Sequence, residues 1–106
     1  IYYGSGSGLA SKSRVAIPCE GRSTNPTIAD YNKDGWLDIA VCSYQKDMLR
    51  IFWGSAGGFN EKNQQNIYVP SIIDLETADF NNDGYLDLVA CSYNDKVNHH
   101  LHLLDL

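Results

Sequence analysis

The chain has 106 residues and a formal net charge of -5, from 13 acidic and 8 basic residues. This length suits one small domain. The acidic balance, without a cluster of Lys or Arg, argues against a nucleic-acid-binding surface. No apolar run approaches the roughly 20 residues of a membrane-spanning helix, so we expect no membrane insertion. Because no signal peptide is visible and the chain does not begin with Met, we interpret it as a mature or excised segment.

The chain opens on a Gly-rich stretch that returns later. Residues 1–9, IYYGSGSGL, match residues 51–59, IFWGSAGGF, at an offset of 50 positions. Gly and Ser at this density are typical of a turn between strands. A repeat of this length predicts an architecture built from repeated units.

The stretch from 30 to 38 reads DYNKDGWLD and is rich in oxygen-bearing side chains. They stand at loop positions one, three, five and nine: Asp30, Asn32, Asp34, Asp38. Alternate residues can turn their oxygens towards one point, and Gly35 at position six permits the sharp bend because it has no Cβ. An all-oxygen cage of this kind suits Ca²⁺. The alternative is a turn without a metal, since Asn, Asp and Gly are also the usual turn residues.

The same pattern recurs 49 positions later as DFNNDGYLD, with its oxygen-bearing side chains at Asp79, Asn81, Asp83 and Asp87. Turns do not require the full pattern twice, so the duplication favours a metal-binding motif. The carboxylates crowded into each loop would also repel one another without a cation. We therefore predict two Ca²⁺ sites, one in each repeat.

Short apolar runs separated by polar breaks predict strands rather than helices. The runs cover residues 37–44, 48–53, 67–69, 75–79, 86–93 and 97–104. No segment keeps a period near 3.6, so we expect little or no helix. Four short strands in about 50 residues are typical of a propeller blade. The predicted fold is all-β, with two four-stranded antiparallel blades of a β-propeller.

The repeat is cut out of phase. Leu101 and Leu103 fall where Ile51 and Trp53 would recur at an offset of 50. Residues 1–106 are therefore expected to form a single partial propeller of about two repeats, each of 49–50 residues. In this arrangement each acidic loop is the hairpin connection between two strands of a blade.

The two acidic loops, the apolar strand after each and the Gly-rich turn together resemble the FG-GAP/VCBS-type repeat of calcium-binding β-propellers, as in the α-subunit head of integrins. The resemblance covers nearly the whole chain. It implies side-chain ligands for one Ca²⁺ at Asp30, Asn32, Asp34 and Asp38, with the backbone carbonyl of Trp36. It implies a second set at Asp79, Asn81, Asp83 and Asp87, with the carbonyl of Tyr85.

Propellers of this family usually have about seven blades, whereas this chain has about two repeats. The resemblance therefore implies that the remaining blades come from the same chain or from other copies. Residues 1–3 could complete a blade begun by another segment. Two isolated blades would otherwise leave open faces and edges that are prone to associate.

The resemblance implies a non-enzymatic module for extracellular or cell-surface adhesion or recognition, with a protein or glycan ligand. One alternative is a carbohydrate-binding lectin that closes its ring by oligomerisation. Another is an accessory module of a larger secreted polysaccharide-active enzyme. No catalytic residue is expected, because the paired carboxylates recur in both repeats and no G-x-S-x-G elbow occurs. An EF-hand is excluded because Val41 and Ala90 stand where a bidentate Glu is needed.

The remaining candidates are cysteines, histidines and aromatic residues. Cys42 and Cys91 occupy equivalent apolar positions and are expected to be small buried hydrophobes, whereas the disulfide state of Cys19 stays open. Two histidines of the His99, His100 and His102 group could share a strand face, but two ligands hold Zn²⁺ only weakly. Among the aromatic residues, Trp36 and Tyr85 lie in the loops and are the better candidates for ligand binding.

Overall fold

The computed structural model describes residues 1–19, 21–94 and 97–104; for Ser11, Ser13, Thr24, Tyr44 and residues 94 and 97–104 it describes the backbone only. Nine strands occur in these residues: β1 Tyr2–Ser5, β2 Gly8–Arg14, β3 Ser23–Ala29, β4 Asp38–Ser43, β5 Met48–Phe52, β6 Gln64–Tyr68, β7 Ile72–Ala78, β8 Asp87–Asn94 and β9 Val97–Leu104.

The described chain is all-β, as predicted, and its only helical element is a 3₁₀ turn at Tyr44–Lys46. All strand pairs are antiparallel and follow chain order. They form a hairpin β1–β2, a four-stranded sheet β3–β4–β5–β6 and a three-stranded sheet β7–β8–β9. One sheet thus has the predicted four strands, and the other has three within the described residues.

None of the helices in the described residues is long and apolar enough to cross a membrane.

Apolar residues at alternate positions place the core between the two larger sheets. In the first sheet, Ala40 lies opposite Ile51 and Cys42 lies opposite Leu49. Paired residues of antiparallel strands point to the same face, and all four are fully buried. They belong to one hydrophobic cluster with residues of β7 and β8 in the second sheet, namely Ile72, Leu75, Leu88 and Ala90. The two repeats therefore stack face to face through their strands.

The register of β9 corrects the predicted alignment of the last strand. Leu101 pairs with Cys91, the place that Leu49 takes opposite Cys42. Leu103 pairs with Val89, and the corresponding partner of Ala40 is Ile51. The prediction that Leu101 and Leu103 recur at Ile51 and Trp53 is therefore wrong by two positions. The physical reason is a longer second hairpin, in which β8 continues to Asn94 and pairs again with Val97.

Candidate metal-binding loops

The first acidic loop joins β3 to β4 and is folded by hydrogen bonds to its own backbone. The carboxylate of Asp30 accepts from the amide N–H of Asp34 at 3.1 Å and from that of Gly35 at 2.8 Å. Further along, Asn32 Oδ1 accepts from the Asp34 N–H at 3.3 Å, and Asp34 Oδ1 accepts from the Trp36 N–H at 2.9 Å. The side-chain oxygens at positions one, three and five, which were predicted as metal ligands, therefore point into the loop.

Two residues of this loop have the left-handed backbone that the tight curl requires. Lys33 has φ 58° and Gly35 has φ 90°. Gly adopts such angles at little cost, whereas a residue with a Cβ is strained there. The sequence-based expectation that Gly35 permits the bend is consistent with this geometry.

Asp38 closes the loop from a fully buried position at the start of β4. Its Oδ2 accepts from the N–H of Tyr31 at 3.0 Å, and its Oδ1 accepts from the N–H of Gly54 at 2.8 Å. Burial raises the pKa of the Asp38 carboxyl, the two N–H donors oppose that rise, and the negative charges of Asp34 and Asp30 add to it. The three carboxylates of this loop thus lie close enough to repel one another.

Gly54 is a structural residue of the site that the motif did not reveal. A Cβ at this position would collide with the backbone carbonyl of Leu37 in the acidic loop. The Gly-rich turn after β5 can therefore approach the loop only because its first residue lacks a side chain. Its recurrence at Gly4 was the sequence signal, which we interpreted only as a turn.

The second loop, between β7 and β8, repeats this geometry. Asp79 accepts from the Asp83 and Gly84 amides at 3.1 and 2.9 Å, and Asn81 Oδ1 accepts from the Asp83 N–H at 3.3 Å. Asp83 Oδ1 accepts from the Tyr85 N–H at 2.9 Å. The left-handed residues recur at the same loop positions, with φ 60° at Asn82 and φ 87° at Gly84. Both loops thus fold alike.

Asp87, the counterpart of Asp38, differs in one bond. Its Oδ2 accepts from the N–H of Phe80 at 3.0 Å. Its Oδ1 is buried without a hydrogen-bond partner among the described residues, whereas Oδ1 of Asp38 has the Gly54 amide. By the register of β9, the position that corresponds to Gly54 is 106, which lies outside the described residues. A buried oxygen without a donor is costly, so this atom is available to a further donor or a cation.

The donor chemistry of both loops fits Ca²⁺, because every candidate ligand is a carboxylate, amide or carbonyl oxygen. In the part of the chain that the structure describes, no three His, Cys, Asp or Glu side chains lie together closely enough to hold a metal ion. The loop carboxylates instead engage backbone amides with one lone pair and keep others free. A bound ion would need these oxygens to draw closer together than they are here.

A strand follows each loop, as the exclusion of an EF-hand required. Val41 lies in β4 and Ala90 in β8. The two loop aromatics predicted as ligand-binding candidates, Trp36 and Tyr85, are exposed to 47% and 44%. Their exposure leaves the rings accessible.

The two loops meet at the edge of the stacked sheets. Lys33 Nζ of the first loop lies 4.4 Å from the centroid of the Tyr85 ring in the second. A Cβ placed on Gly84 would also lie 3.1 Å from Lys33 Nζ. The cation–π contact therefore joins the two candidate sites through side chains of neighbouring loops.

Strands β3 and β7 form the seam between the repeats. Thr27 and Thr77 hydroxyls lie 2.7 Å apart, and the phenol oxygen of Tyr31 lies 2.8 Å from the hydroxyl of Thr77. At the other end, the Asn25 amide donates to Asp74 Oδ1 at 3.3 Å. The acidic loop thus reaches the neighbouring repeat through Tyr31, a role that sequence reasoning missed. An aromatic residue at loop position two in both copies was the available signal.

The other predicted candidates are placed as follows. Cys42 is fully buried, as expected, whereas Cys91 is only half-buried. Cys19 is half-buried, and all three cysteines are free thiols. The side chains of His99, His100 and His102 lie outside the described residues, so the interpretation of that group stays a prediction.

Fold and loops together define a class of protein: an all-β repeat module in which each repeat carries an acidic strand-to-strand loop and stacks on the next. A model of the FG-GAP-like repeat matches residues 30–90, which includes both acidic loops. The chain belongs to the FG-GAP-like repeat family. Comparison with curated proteins and with solved structures gave no match.

Proposed function

We propose that this chain is a non-enzymatic, Ca²⁺-binding β-propeller segment that serves in extracellular adhesion or recognition. The observation that carries the metal proposal is the identical folding of the two loops. In both, the side-chain oxygens at positions one, three and five accept the same set of backbone amides, at distances that agree within 0.1 Å. The same loop geometry in both repeats supports one shared task.

The electrostatics of the loops supports cation binding as that task. The repulsion that Asp38 experiences from Asp30 and Asp34 would become attraction once a divalent ion lay between them. In the second loop, the buried Oδ1 of Asp87 would gain the partner it lacks among the described residues. We assign the first ion to the donors of residues 30–38 and the second to those of residues 79–87, with the carbonyls of Trp36 and Tyr85.

The ion would act on the fold rather than on a substrate. Asp38 bonds both its own loop and the turn at Gly54, so an ion held by Asp38 would also hold that turn in place. The contact of Lys33 with Tyr85 would carry this rigidity to the adjacent loop. Extracellular Ca²⁺ in the millimolar range suits a site of modest affinity, about 10⁻⁴–10⁻³ M.

Direct binding tests the metal proposal. Isothermal titration with CaCl₂ should give two sites per chain, and Tb³⁺ should show luminescence sensitised by the loop aromatics Trp36 and Tyr85. Asp34→Asn and Asp83→Asn should each remove one site, because each replaces a charged ligand. The Asn side chain can still accept the bond from the amide two residues on.

The matched control is Glu61→Gln, which removes an exposed carboxylate outside both loops. It should leave two sites of unchanged affinity. Absence of Ca²⁺ binding to the folded wild-type chain would overturn the proposal. If Glu61→Gln weakened Ca²⁺ binding as much as the loop variants do, the binding would be non-specific attraction to negative charge.

Glycan binding is a second candidate, favoured by the exposed rings of Trp36 and Tyr85 on adjacent loops. Aromatic faces stack on sugar rings, and a flanking amine can bond hydroxyls. A glycan array should then give hits that Trp36→Ala abolishes. Tyr68→Ala, at an exposed ring on β6 outside the loops, is the control. An array without hits would refute this candidate and leave a protein ligand.

A further inference from the structure

The packed interface between the repeats defines two different sheet faces. In the first sheet, one face presents Ala29, Ala40 and Cys42, and we call the face with these residues or their counterparts the trailing face. The second sheet packs against the first with its other face, which presents Thr77, Leu88 and Ala90. We call the face with these residues or their counterparts the leading face. The trailing face of the first sheet packs on the leading face of the second, within one hydrophobic cluster.

The second sheet also has a trailing face, and the first sheet also has a leading face, and neither of these takes part in the interface between the two sheets. At an offset of 49 positions, the trailing face of the second sheet consists of Ala78, Val89 and Cys91. These are exposed or half-buried, although their counterparts in the first sheet are buried. The leading face of the first sheet likewise consists of Ile28, Ile39 and Val41. Both halves of the interface are thus present again, on opposite sides of the pair.

Tyr31 and Phe80 show what the open trailing face lacks. They occupy position two of their loops, 49 residues apart. Tyr31 is fully buried against the next repeat, where it bonds Thr77, whereas Phe80 is 46% exposed. An exposed aromatic ring at a position where the equivalent residue is buried indicates a surface that can pack against another repeat.

A groove on the open leading face offers the matching surface. It has a volume of about 470 Å³ and a mainly apolar lining. Ile28, Ile39 and Val41 of the first sheet contribute to the lining together with Ile1 and Ile17 of the N-terminal segment. Ile28 is 57% exposed, although its counterpart Thr77 is half-buried in the packed interface. The groove therefore opens on the face from which the observed stacking would continue, next to the N-terminal residues Ile1 and Ile17 that line part of it.

We propose that this groove binds the trailing face of a second copy of the chain, with Phe80 of that copy seated in it. The argument is continuity: the interface between the two sheets already shows which face fits which. Because the two surfaces are different, the contact is head-to-tail and must either close into a ring or extend.

The contact can be tested by complementation between two variants. Phe80→Gln damages only the trailing face, and Ile28→Gln damages only the leading face; both positions are exposed, so folding should persist. In sedimentation equilibrium, the wild-type chain should form a discrete oligomer. Each variant alone should associate at least about tenfold more weakly. An equimolar mixture should recover a 1:1 heterodimer, because it contains one intact pair of faces.

Leu9→Gln is the matched control, since Leu9 is an exposed apolar residue on β2 that does not line the groove. It should associate like the wild type. A monomeric wild-type chain at high concentration overturns the proposal, and so does failure of the mixture to form a heterodimer. The proposal does not depend on Ca²⁺, and circular dichroism of each variant with the calcium titration described above separates loss of folding or metal from loss of association.

Discussion

The phenol oxygen of Tyr31 lies 2.8 Å from the hydroxyl oxygen of Thr77, which ties an acidic loop of one repeat to the seam strand of the next. The loop is therefore part of the interface between repeats as well as a candidate metal site. Anything that orders the loop also positions Tyr31 against β7.

Tyr31→Phe should lower the free energy of unfolding by about 1 kcal/mol, because it removes one hydrogen bond and keeps the ring. Thr77 retains its bond to Thr27, so no buried hydroxyl is left alone. Urea denaturation measures the change. The matched control is Tyr68→Phe, which removes the hydroxyl of an exposed ring on β6 and should stay within about 0.5 kcal/mol of wild type. Equal effects at both positions would contradict a role for the seam.

Gly54→Ala should destabilise the fold by about 1–3 kcal/mol, because its methyl group would collide with the Leu37 carbonyl and force the turn away from Asp38. Gly57→Ala in the same turn is the control. There an added Cβ would meet only Ser55 Oγ, at 3.9 Å, so the effect should be below about 0.5 kcal/mol. Thermal unfolding of the two variants side by side checks this difference.

Asp38→Asn should cost about 1–3 kcal/mol even in EDTA, because both carboxylate oxygens accept backbone amides and one would be replaced by an NH₂ donor. Asp34→Asn, measured under the same conditions, should be neutral or stabilising. It keeps an oxygen for the Trp36 amide and removes one repelling charge. If the two variants behave alike without metal, the structural role of Asp38 is refuted.

Removal of Ca²⁺ should lower the melting temperature, and added Ca²⁺ should restore it. An ion that binds only the folded chain stabilises it by about 2.7 kcal/mol per site at 100 times its Kd. Scanning calorimetry with EDTA, excess Ca²⁺ and Mg²⁺ at equal ionic strength measures the shift. Mg²⁺ should act more weakly, because it demands a smaller octahedral cage. A melting temperature that chelation leaves unchanged would refute the metal proposal.

The contact between Lys33 and Tyr85 should show a coupling energy of about 0.5–1 kcal/mol in a double-mutant cycle, as expected for an exposed cation–π pair. Lys33→Asn is the suitable change at the first position. Asn occupies the corresponding position 82 with the same left-handed backbone. Tyr85→Leu completes the cycle. Additive single effects would show that the loops are energetically independent.

Sequence patterns predicted the local features of this protein well. The oxygen spacing located both loops, and the strands after them begin within a residue of the predicted starts. The all-β class and the family are confirmed. These features depend on contacts within a few residues, which alternation and Gly placement encode directly. The Ca²⁺ ligands, the ligand of the module and its location outside the cell stay predictions.

Contacts between residues that are distant in the chain could not be predicted from the sequence. The last strand was misaligned by two positions because hairpin length, rather than spacing in the repeat, decides which residues pair. The close approach of Gly54 to the acidic loop also joins residues 16 positions apart, as its bond with Asp38 shows. No local pattern specifies such a contact, since it depends on how the sheet brings its turns together.

The sequence by itself determined where each repeat bends, which oxygens line each loop and which strands follow, because backbone preference and alternation act locally. Only the tertiary structure decided that Tyr31 is buried while its counterpart Phe80 is exposed. The two residues stand at the same position of the same motif. What separates them is whether another sheet packs against that position, and this is a property of the stacked repeats, which the motif alone does not encode.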